Sequence, residues 1–185
     1  MSEVVELRQY TLRPGQRDTL TELFLRHFVD SQEAVGMRIL GVYHDLDRDD
    51  RFVWLRSFPD MAVRKSALNR FYFESEAWKT YGPAANATML DVSDVLLLNP
   101  LTALDLPRTP RLVATIHPLE TAPDVKAAVW LETDPSENDF PRLPVRTDGR
   151  KAVWFNGFET DADVEAYLTE LNLNRTWSIR LKPVG

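Results

Sequence analysis

The spacing of polar and apolar residues near the start of the chain predicts a strand followed by a helix. An alternating pattern predicts a strand over residues 6–12, and Pro14 and Gly15 then interrupt it. A helix is predicted from there to about residue 35, and Gly36 stands where a glycine often closes a helix. The apolar residues of this helix recur at the spacing of one buried stripe: Leu20, Leu23, Phe24, Phe28 and Val35.

The pattern that follows predicts two strands, two helices and a final strand. Their ranges are 39–46, 52–58, 60–71, 75–81 and 89–99. The first two strands form a hairpin around a charged turn. Together with the first strand and helix, the element order is β-α-β-β-α-β, extended by one short helix, which is the ferredoxin-like motif.

Two distant segments, residues 51–68 and 151–168, resemble each other. Each has a strand of about eight residues, an acidic candidate for the helix N-cap (Asp60 or Asp161) and an amphipathic helix. Because strand, cap and helix agree together, an internal duplication is the better explanation. Identical residues recur at Val53 and Val153, Trp54 and Trp154, Phe58 and Phe158, and Leu68 and Leu168, among other positions.

The second half predicts a shorter version of the same repeat, with three strands, a helix and a last strand. The ranges are 112–118, 126–133, 151–158, 162–171 and 176–182. Only seven residues separate the first two of these strands, which leaves no room for the first helix of the motif. The proline-rich stretch 134–150 is expected to form a long loop, as compensation or as a lid.

The predicted organisation is a ferredoxin-like repeat over residues 1–100, a linker over 101–109 and a degenerate second repeat over 110–185. A four-stranded antiparallel sheet with helices on one face leaves its other face bare, and that face must be buried. We therefore predict an α+β protein in which the two sheets close on each other as an α+β barrel within one chain. The same packing between two chains, as a homodimer, is the alternative.

Composition narrows the classes of partner and compartment. The net charge of −6 argues against nucleic acid or an anionic membrane, both of which need clustered Lys and Arg. The chain has no cysteine, which excludes disulfides, thiolate nucleophiles and sites built on cysteine ligands. Its N-terminus lacks the basic and apolar regions of a signal peptide, and no apolar run approaches the length of a membrane span. We expect a cytoplasmic protein.

Several motifs resemble those of the NIPSNAP family. Residues 6–15, ELRQYTLRPG, resemble its opening strand and P-G turn, and residues 60–64, DMAVR, resemble the head of its second helix. Residues 76–78 resemble a P-E-W segment, although Ala77 stands where glutamate is expected and the proline is absent. Residues 140–146 resemble a stretch of longer bacterial members. The resemblance implies the dimeric α+β barrel superfamily, whose members include cofactor-free monooxygenases, haem-handling enzymes and ligand binders.

Strand alternation sends Glu6, Arg8 and Tyr10 to one face of the first strand. We expect the opposite face, with Val5, Leu7 and Gln9, to meet the helices, so that the polar set lines the barrel interior. On the neighbouring strand, Trp54 and Arg56 have the same phase as the polar set. One interpretation is a pocket in which an arginine holds a carboxylate or enolate while Glu6 or Tyr10 handles a proton. The other is a structural ion pair that fixes the strand register.

The equivalent residues of the second half are Thr115, His117, Trp154 and Asn156. Trp154 and Asn156 are predicted to contact a ligand, as are Trp54 and Arg56. His117 is a candidate general base or haem ligand, although a strand histidine with a satisfied hydrogen bond is the more frequent case. The three histidines are dispersed and show no metal-site spacing, so neither a metal nor another cofactor is predicted.

Three functions remain open from the sequence. The first is a protein that binds or transforms a small acidic or aromatic molecule inside the barrel, as a cofactor-free oxygenase or isomerase would. The second is a non-catalytic interaction or scaffold module, favoured by the absence of a strong catalytic motif. The third is haem binding through His117.

Overall fold

The predicted strands and helices form an antiparallel barrel with helices packed on its outside, in a computed structural model that describes residues 3–185. The strands are β1 Val4–Leu12, β2 Arg38–Asp45, β3 Arg51–Phe58, β4 Met89–Pro100, β5 Arg111–Pro118, β6 Val129–Thr133, β7 Lys151–Phe158 and β8 Ser178–Pro183. The helices are α1 Arg17–Leu23, α2 Val29–Glu33, α3 Met61–Asn69, α4 Glu76–Thr88 and α5 Asp161–Leu171. Two π-helical turns, Phe24–Phe28 and Arg70–Glu74, join α1 to α2 and extend α3.

The two halves of the chain have the same strand order. In the first half β1 lies between β4 and β3, and β2 pairs with β3, which gives the order β4-β1-β3-β2. In the second half β5 lies between β8 and β7, and β6 pairs with β7, which gives the matching order β8-β5-β7-β6. Each half therefore has the strand order of a ferredoxin-like sheet.

Two junctions close the sheets into an eight-stranded barrel. Strand β2 pairs with β8 from Tyr43–Pro183 to Asp45–Leu181, and β4 pairs with β6 from Leu98–Thr133 to Pro100–Leu131. Each edge strand of one half is thus paired with an edge strand of the other, which removes the open sheet edges. The prediction of a barrel closed within one chain is confirmed.

Apolar side chains fill the barrel interior, and this corrects the predicted orientation of β1. Val5 and Leu7 point into the barrel, whereas Tyr10 and Trp54 belong to the core beneath the helices. Both faces of β1 and β3 are buried, so alternation separates the two sets of side chains without showing which set lies inside the barrel. The fully buried interior residues are Val5, Leu7, Val53, Leu55, Leu96, Leu98, Leu112, Ala114, Val129, Leu131, Val153, Phe155 and Leu181.

The helices cover the two halves of the barrel unequally. Helices α1, α2, α3 and α4 lie over the outer face of the first sheet, with a largely aromatic core between the layers. Among residues 3–185 the second sheet carries one helix, α5, whose Val164 and Leu168 pack on Val113. A single 3₁₀ turn, Leu119–Thr121, stands between β5 and β6, so the first helix of the second repeat is missing, as the sequence predicts.

Helix ends agree with the sequence in part. Asp60 caps α3, since its carboxylate accepts a hydrogen bond from the backbone N–H of Val63 at 2.8 Å, and Gly36 closes the first helical segment at φ 101°. The predicted cap Asp161 is wrong, because the preceding residue Thr160 caps α5 in a capping box with Asp163. Among residues 3–185, the structure has no helix with the length and hydrophobicity that a bilayer crossing needs.

Helix α4 is longer than predicted, because it continues through Pro83 to Thr88. Its side toward the core is small at Gly82 and Ala85, and both residues are buried. A Cβ atom at Gly82 would lie 2.8 Å from the Trp78 ring, so this position needs a glycine for α4 to carry the Trp78 ring in place.

Candidate functional site

A buried cluster of charges lies on the outer face of β1 and β3, with Glu6 at its centre. Three guanidinium groups donate to the Glu6 carboxylate: Arg8 Nη1 at 2.7 Å, Arg56 Nε at 2.7 Å and Arg64 Nε at 2.8 Å. All four side chains have zero solvent exposure. Strand register brings Glu6 opposite Arg56, and the capped helix α3 supplies Arg64 from above.

The three arginines fix the charge state of Glu6. Burial opposes its ionisation, but the charges of Arg56, Arg8 and Arg64 outweigh burial and hold the pKa of Glu6 well below its usual value. A carboxylate of this kind is a poor proton acceptor at neutral pH. The geometry therefore argues against Glu6 as the group that handles a proton, and favours a role in holding the arginines.

The cluster extends to two other parts of the chain. Arg56 Nη1 donates to the Gln32 side chain of α2 at 2.8 Å. Arg64 Nη1 donates to Asp139 at 2.6 Å, and Arg64 Nη2 donates to Asn138 at 3.2 Å. Three arginines thus face two carboxylates, those of Glu6 and Asp139, and the cluster carries one positive charge in excess.

A cavity of about 180 Å³ lies beside this cluster, between the first sheet and its helices. Both π-helical turns contribute aromatic side chains to it. π-Helical turns are rare and often occur at functional sites. The lining residues are Arg8, Tyr10, Leu20, Phe24, Phe28, Gln32, Trp54, Phe71, Tyr72, Trp78, Asn86, Met89, Val92, Arg142 and Leu143.

Two buried donors on the cavity lining have no hydrogen-bond partner in the described residues. They are Nη2 of Arg8 and Nε1 of Trp54. Arg56 Nη2 also lacks a well-aligned hydrogen bond, but it lies 2.7 Å from Glu6 Oε2 and its charge is therefore paired. Buried donors are nearly always satisfied, so the two unpartnered donors call for an explanation.

Tyr10 lies next to these donors and is a weak acid in this setting. Its hydroxyl oxygen accepts a hydrogen bond from Arg8 Nε at 2.8 Å, which leaves the hydroxyl hydrogen free to be donated. Burial raises the pKa of Tyr10; the Arg8 charge opposes this rise, and nearby Tyr72 adds to it. Tyr10 is therefore a neutral phenol at physiological pH and can act as a hydrogen-bond donor.

A segment of the second half covers one side of the cavity. This closing segment, residues 134–146, is attached to β4 at both ends by hydrogen bonds of 2.8 Å, from Asp134 N to Leu97 O and from Arg146 N to Val95 O. Within it Phe140 packs on Tyr72, and the exposed Arg142 lies over the Phe73 ring at 4.9 Å. Because Arg142 and the exposed Asn86 of α4 also line the cavity, they mark the side that faces solvent.

The predicted residues of the second half do not form a matching cavity. Thr115, His117 and Trp154 lie on the outer face of the second sheet rather than inside the barrel, which corrects the predicted orientation. Trp154 Nε1 donates to the Tyr167 hydroxyl at 3.0 Å, and Asn156 Nδ2 donates to the same oxygen at 3.1 Å. These contacts satisfy the polar groups within the chain.

His117 does not fit a haem ligand. It is 3% exposed, its Nδ1 lies 2.8 Å from the Pro118 carbonyl oxygen, and its ring packs against Trp177 at a centroid distance of 4.3 Å. A haem iron would need an open position at the ring nitrogen and space for the macrocycle, and Trp154 and Trp177 occupy the surroundings of this ring. Among residues 3–185, no cluster of His, Asp and Glu side chains has the arrangement of a metal site.

The structure brings Glu6, Arg8, Tyr10, Trp54 and Arg56 together as predicted, but it places them beneath the helices. Sequence reasoning missed the partners from other elements, namely Gln32, Arg64 and Asp139. One signal was available: the segments resembling the NIPSNAP opening and second helix supply Glu6, Arg8 and Arg64, and the stretch 140–146 supplies Arg142.

Comparisons with known proteins agree with this architecture. The NIPSNAP family model matches residues 5–102. A solved NIPSNAP family protein of unknown function from Agrobacterium tumefaciens str. C58 is 14% identical, with a TM-score of 0.50 over 56% of this chain and 94% of that chain. No curated protein matches the sequence significantly.

Other solved structures match the whole length of the chain. A provisionally assigned chlorite dismutase is 13% identical, with a TM-score of 0.58 over 100% of this chain and 96% of that chain. A provisionally assigned monooxygenase from Lactobacillus acidophilus NCFM is 10% identical, with a TM-score of 0.56 over 100% and 94%. At these identities the likeness concerns the fold alone, and it extends to both repeats.

Proposed function

We propose that this chain, which belongs to the NIPSNAP family because the family model matches more than half of its length, is a ligand-binding protein. The proposed ligand is a small aromatic molecule, and it binds between the first sheet and its helices. The observation that carries the proposal is the cavity of about 180 Å³ with aromatic walls. The sequence predicts a small acidic or aromatic molecule inside the barrel. Apolar side chains fill the barrel interior and contradict that location. The proposed site therefore lies outside the barrel, between the first sheet and its helices.

The size and lining of the cavity limit the ligand. Pockets for drug-sized ligands usually measure about 300–1,000 Å³. A cavity of about 180 Å³ therefore suits one ring with a small substituent. Aromatic pairs favour offset or edge-to-face contacts, and the walls offer ring edges and faces from Phe24, Phe28, Phe71 and Trp78.

A scaffold role without a ligand is the second candidate, and one observation favours it. Glu6 and Arg8 are paired and fully buried, as expected for a structural ion pair. Two features favour the binding role over it: the unpartnered donors beside Glu6, and an aromatic cavity that the helices leave unfilled. A homodimer and a cytoplasmic location stay predictions from the sequence.

The test is a titration of the purified protein with single-ring probes, namely benzoate and benzamide, followed by isothermal calorimetry and by tryptophan fluorescence. We expect saturable binding of at least one probe. Val92→Phe should weaken binding at least tenfold, because Val92 lines the cavity and a larger side chain would fill it. Val125→Phe is the matched control, since Val125 is also half-buried but lies in the second half, outside this cavity.

Two results would contradict the binding role. One is the absence of saturable binding by either probe to the wild-type protein. The other is equal weakening by Val92→Phe and Val125→Phe, because binding would then depend on general stability rather than on this cavity. Either result leaves the scaffold role as the better account.

A further inference from the structure

We infer that the ligand carries a single negative charge on a planar oxyanion, such as a carboxylate, held by Arg8 Nη2 and Trp54 Nε1. This inference rests on the proposed function, and it adds the charge and the anchoring atoms to a site whose shape specifies a ring. It follows from three independent features of the cluster: its unused donors, its net charge and its difference from the second repeat.

The two unpartnered donors, Arg8 Nη2 and Trp54 Nε1, destabilise the folded state unless a ligand accepts their hydrogen bonds. A buried donor without a partner loses its hydration without compensation, and a charged donor loses more than a neutral one. Arg8 donates from Nη1 to Glu6 and from Nε to Tyr10, so only its Nη2 lacks a partner among the described residues. An oxyanion is the strongest partner for a guanidinium N–H, and a planar one can accept from two donors at once.

The net charge gives the charge of the ligand. Arg8, Arg56 and Arg64 carry three positive charges, while Glu6 and Asp139 supply two negative ones. An uncompensated charge on a fully buried side chain is unfavourable, because the surroundings screen it poorly. One monoanion brings the cluster to neutrality. A neutral ligand leaves the positive charge of the buried cluster unpaired; Arg142, which also lines the cavity, is exposed to solvent.

The duplicated tryptophan provides an internal comparison. Trp54 and Trp154 occupy equivalent positions in the two repeats, on β3 and β7. In the second repeat the indole N–H donates to the Tyr167 hydroxyl at 3.0 Å, and Asn156 donates to the same oxygen. In the first repeat the indole N–H has no partner within the described residues, and its side chain lines the cavity. The ligand oxygen would take the place that Tyr167 has in the second repeat.

The test compares benzoate with benzamide, which have the same ring and nearly the same shape but differ in charge. We expect wild-type protein to bind benzoate at least tenfold more tightly than benzamide. Arg8→Met should remove this preference and bring benzoate down to the affinity of benzamide, while leaving benzamide within about threefold. Arg111→Met is the control, because Arg111 is paired with Asp161 on the other half and should not alter the ratio.

A measurement on the unmutated protein covers the case in which Arg8→Met does not fold. The absorbance of 4-nitrophenol reports its ionisation, and binding beside an uncompensated guanidinium should shift its ionisation midpoint to lower pH by about one unit. Trp54→Phe should reduce the affinity for benzoate severalfold without abolishing the preference for the anion, because it removes one of the two donors.

The outcomes separate this inference from the proposed function. Equal affinity for benzoate and benzamide, with both blocked by Val92→Phe, would overturn the anionic ligand while the cavity site stands. Loss of the preference in Arg111→Met to the same degree as in Arg8→Met would also overturn it, as would an unshifted or raised ionisation midpoint of bound 4-nitrophenol. No binding of either probe would instead remove the proposed function itself.

Discussion

Glu6 and Arg8 belong to one buried cluster, but they contribute to it differently. Glu6 is the acceptor for three guanidinium groups, and each of those groups depends on it for charge compensation. Arg8 is one of three residues that donate to Glu6, and its Nη2 has no hydrogen-bond partner among the described residues. We therefore expect Glu6 to contribute mainly to stability and Arg8 to the proposed binding.

The first prediction concerns Glu6→Gln. The substitution leaves three buried arginines without their shared carboxylate, so we expect a loss of about 3–5 kcal/mol in the free energy of unfolding at pH 7. Urea denaturation of both proteins measures the difference. Glu137→Gln is the control, because Glu137 is exposed and should change stability by less than about 0.5 kcal/mol.

The same pair of proteins should differ in its response to pH. The pKa of Glu6 is lowered in the folded state, so its contribution is fully present above its ordinary value of 4.5 and is lost as pH falls below that value toward the folded-state pKa. The gap between wild type and Glu6→Gln should therefore be constant from pH 7 to about pH 5 and shrink under more acidic conditions. A gap that grows as pH falls would contradict the assigned shift.

Unlike Glu6→Gln, Arg8→Met should change stability little while it weakens the proposed binding of an anion. Removing Arg8 leaves Glu6 with Arg56 and Arg64, cancels the excess charge and eliminates an unpartnered donor. We expect a change of at most about 1 kcal/mol in stability, against about 3–5 kcal/mol for Arg64→Met, which also strips Asp139 of its partner. Thermal and urea melts decide this. A larger loss for Arg8→Met than for Arg64→Met would assign Arg8 a structural role.

At the scale of elements, the sequence predicts which strands and helices form, and in what order, better than it predicts which face of each strand enters the barrel. The strands and helices follow from periodicity, because each has one face that must be buried. Which face of β1 enters the barrel does not follow, since Glu6 and Arg8 look suited to a cavity and Val5 and Leu7 look suited to the underside of a helix. The deciding fact is the long-range contact of Glu6 with Arg64 of α3, which no local pattern encodes.

A better rule can be stated for this architecture. In a closed barrel of eight strands, the interior is just wide enough for side chains to fill it. The face that is apolar on strand after strand, as at Leu7, Leu55, Leu96 and Phe155, is then the inner one. The face that mixes charges with aromatics is the outer one, which the helices cover.

The closing segment gives the element-scale prediction. Asp139 attaches this segment to the cluster through Arg64 at 2.6 Å, and Phe140 packs on Tyr72. Asp139→Asn should weaken the charge-assisted bond, and we expect faster amide hydrogen exchange within residues 134–146 while the barrel strands remain protected. We also expect faster association and dissociation of the probes, because Arg142 and Leu143 line the cavity.

The control for that experiment lies in the same segment. Glu137→Gln removes a negative charge from an exposed side chain two residues before Asp139. It should leave both exchange and probe kinetics unchanged. Equal effects of Glu137→Gln and Asp139→Asn would mean that net charge, and not the contact with Arg64, holds the segment in place.

At the scale of the molecule, the two repeats have divided their roles. The first repeat keeps all its helices and holds the cavity, while the second lacks its first helix and contributes the closing segment. The barrel is symmetric in strand order, but the site is present once. Trp54 has a donor without a partner among residues 3–185, whereas Trp154 donates to Tyr167.

The last prediction follows from the barrel closure. A fragment of residues 1–102 would expose the bare face of the first sheet, which includes Val5, Leu7, Val53, Leu55, Leu96 and Leu98. Strand β8 holds the same place in the second sheet as β4 does in the first, so the β4 strand of a second fragment could pair with β2 as β8 does. We expect the fragment to form a two-copy barrel, measured by light scattering with circular dichroism.

Adding residues 103–185 should then compete with this self-association, because the native partner offers the matched junctions β2–β8 and β4–β6. A heterodimer of the two fragments that regains probe binding would support both the repeat boundary and the role of the closing segment. A monomeric fragment 1–102 that unfolds cooperatively would contradict the argument, since a sheet with an exposed aliphatic face should not be stable alone. The fragment experiment therefore tests the predicted boundary at residues 101–109 and the need for the second repeat at once.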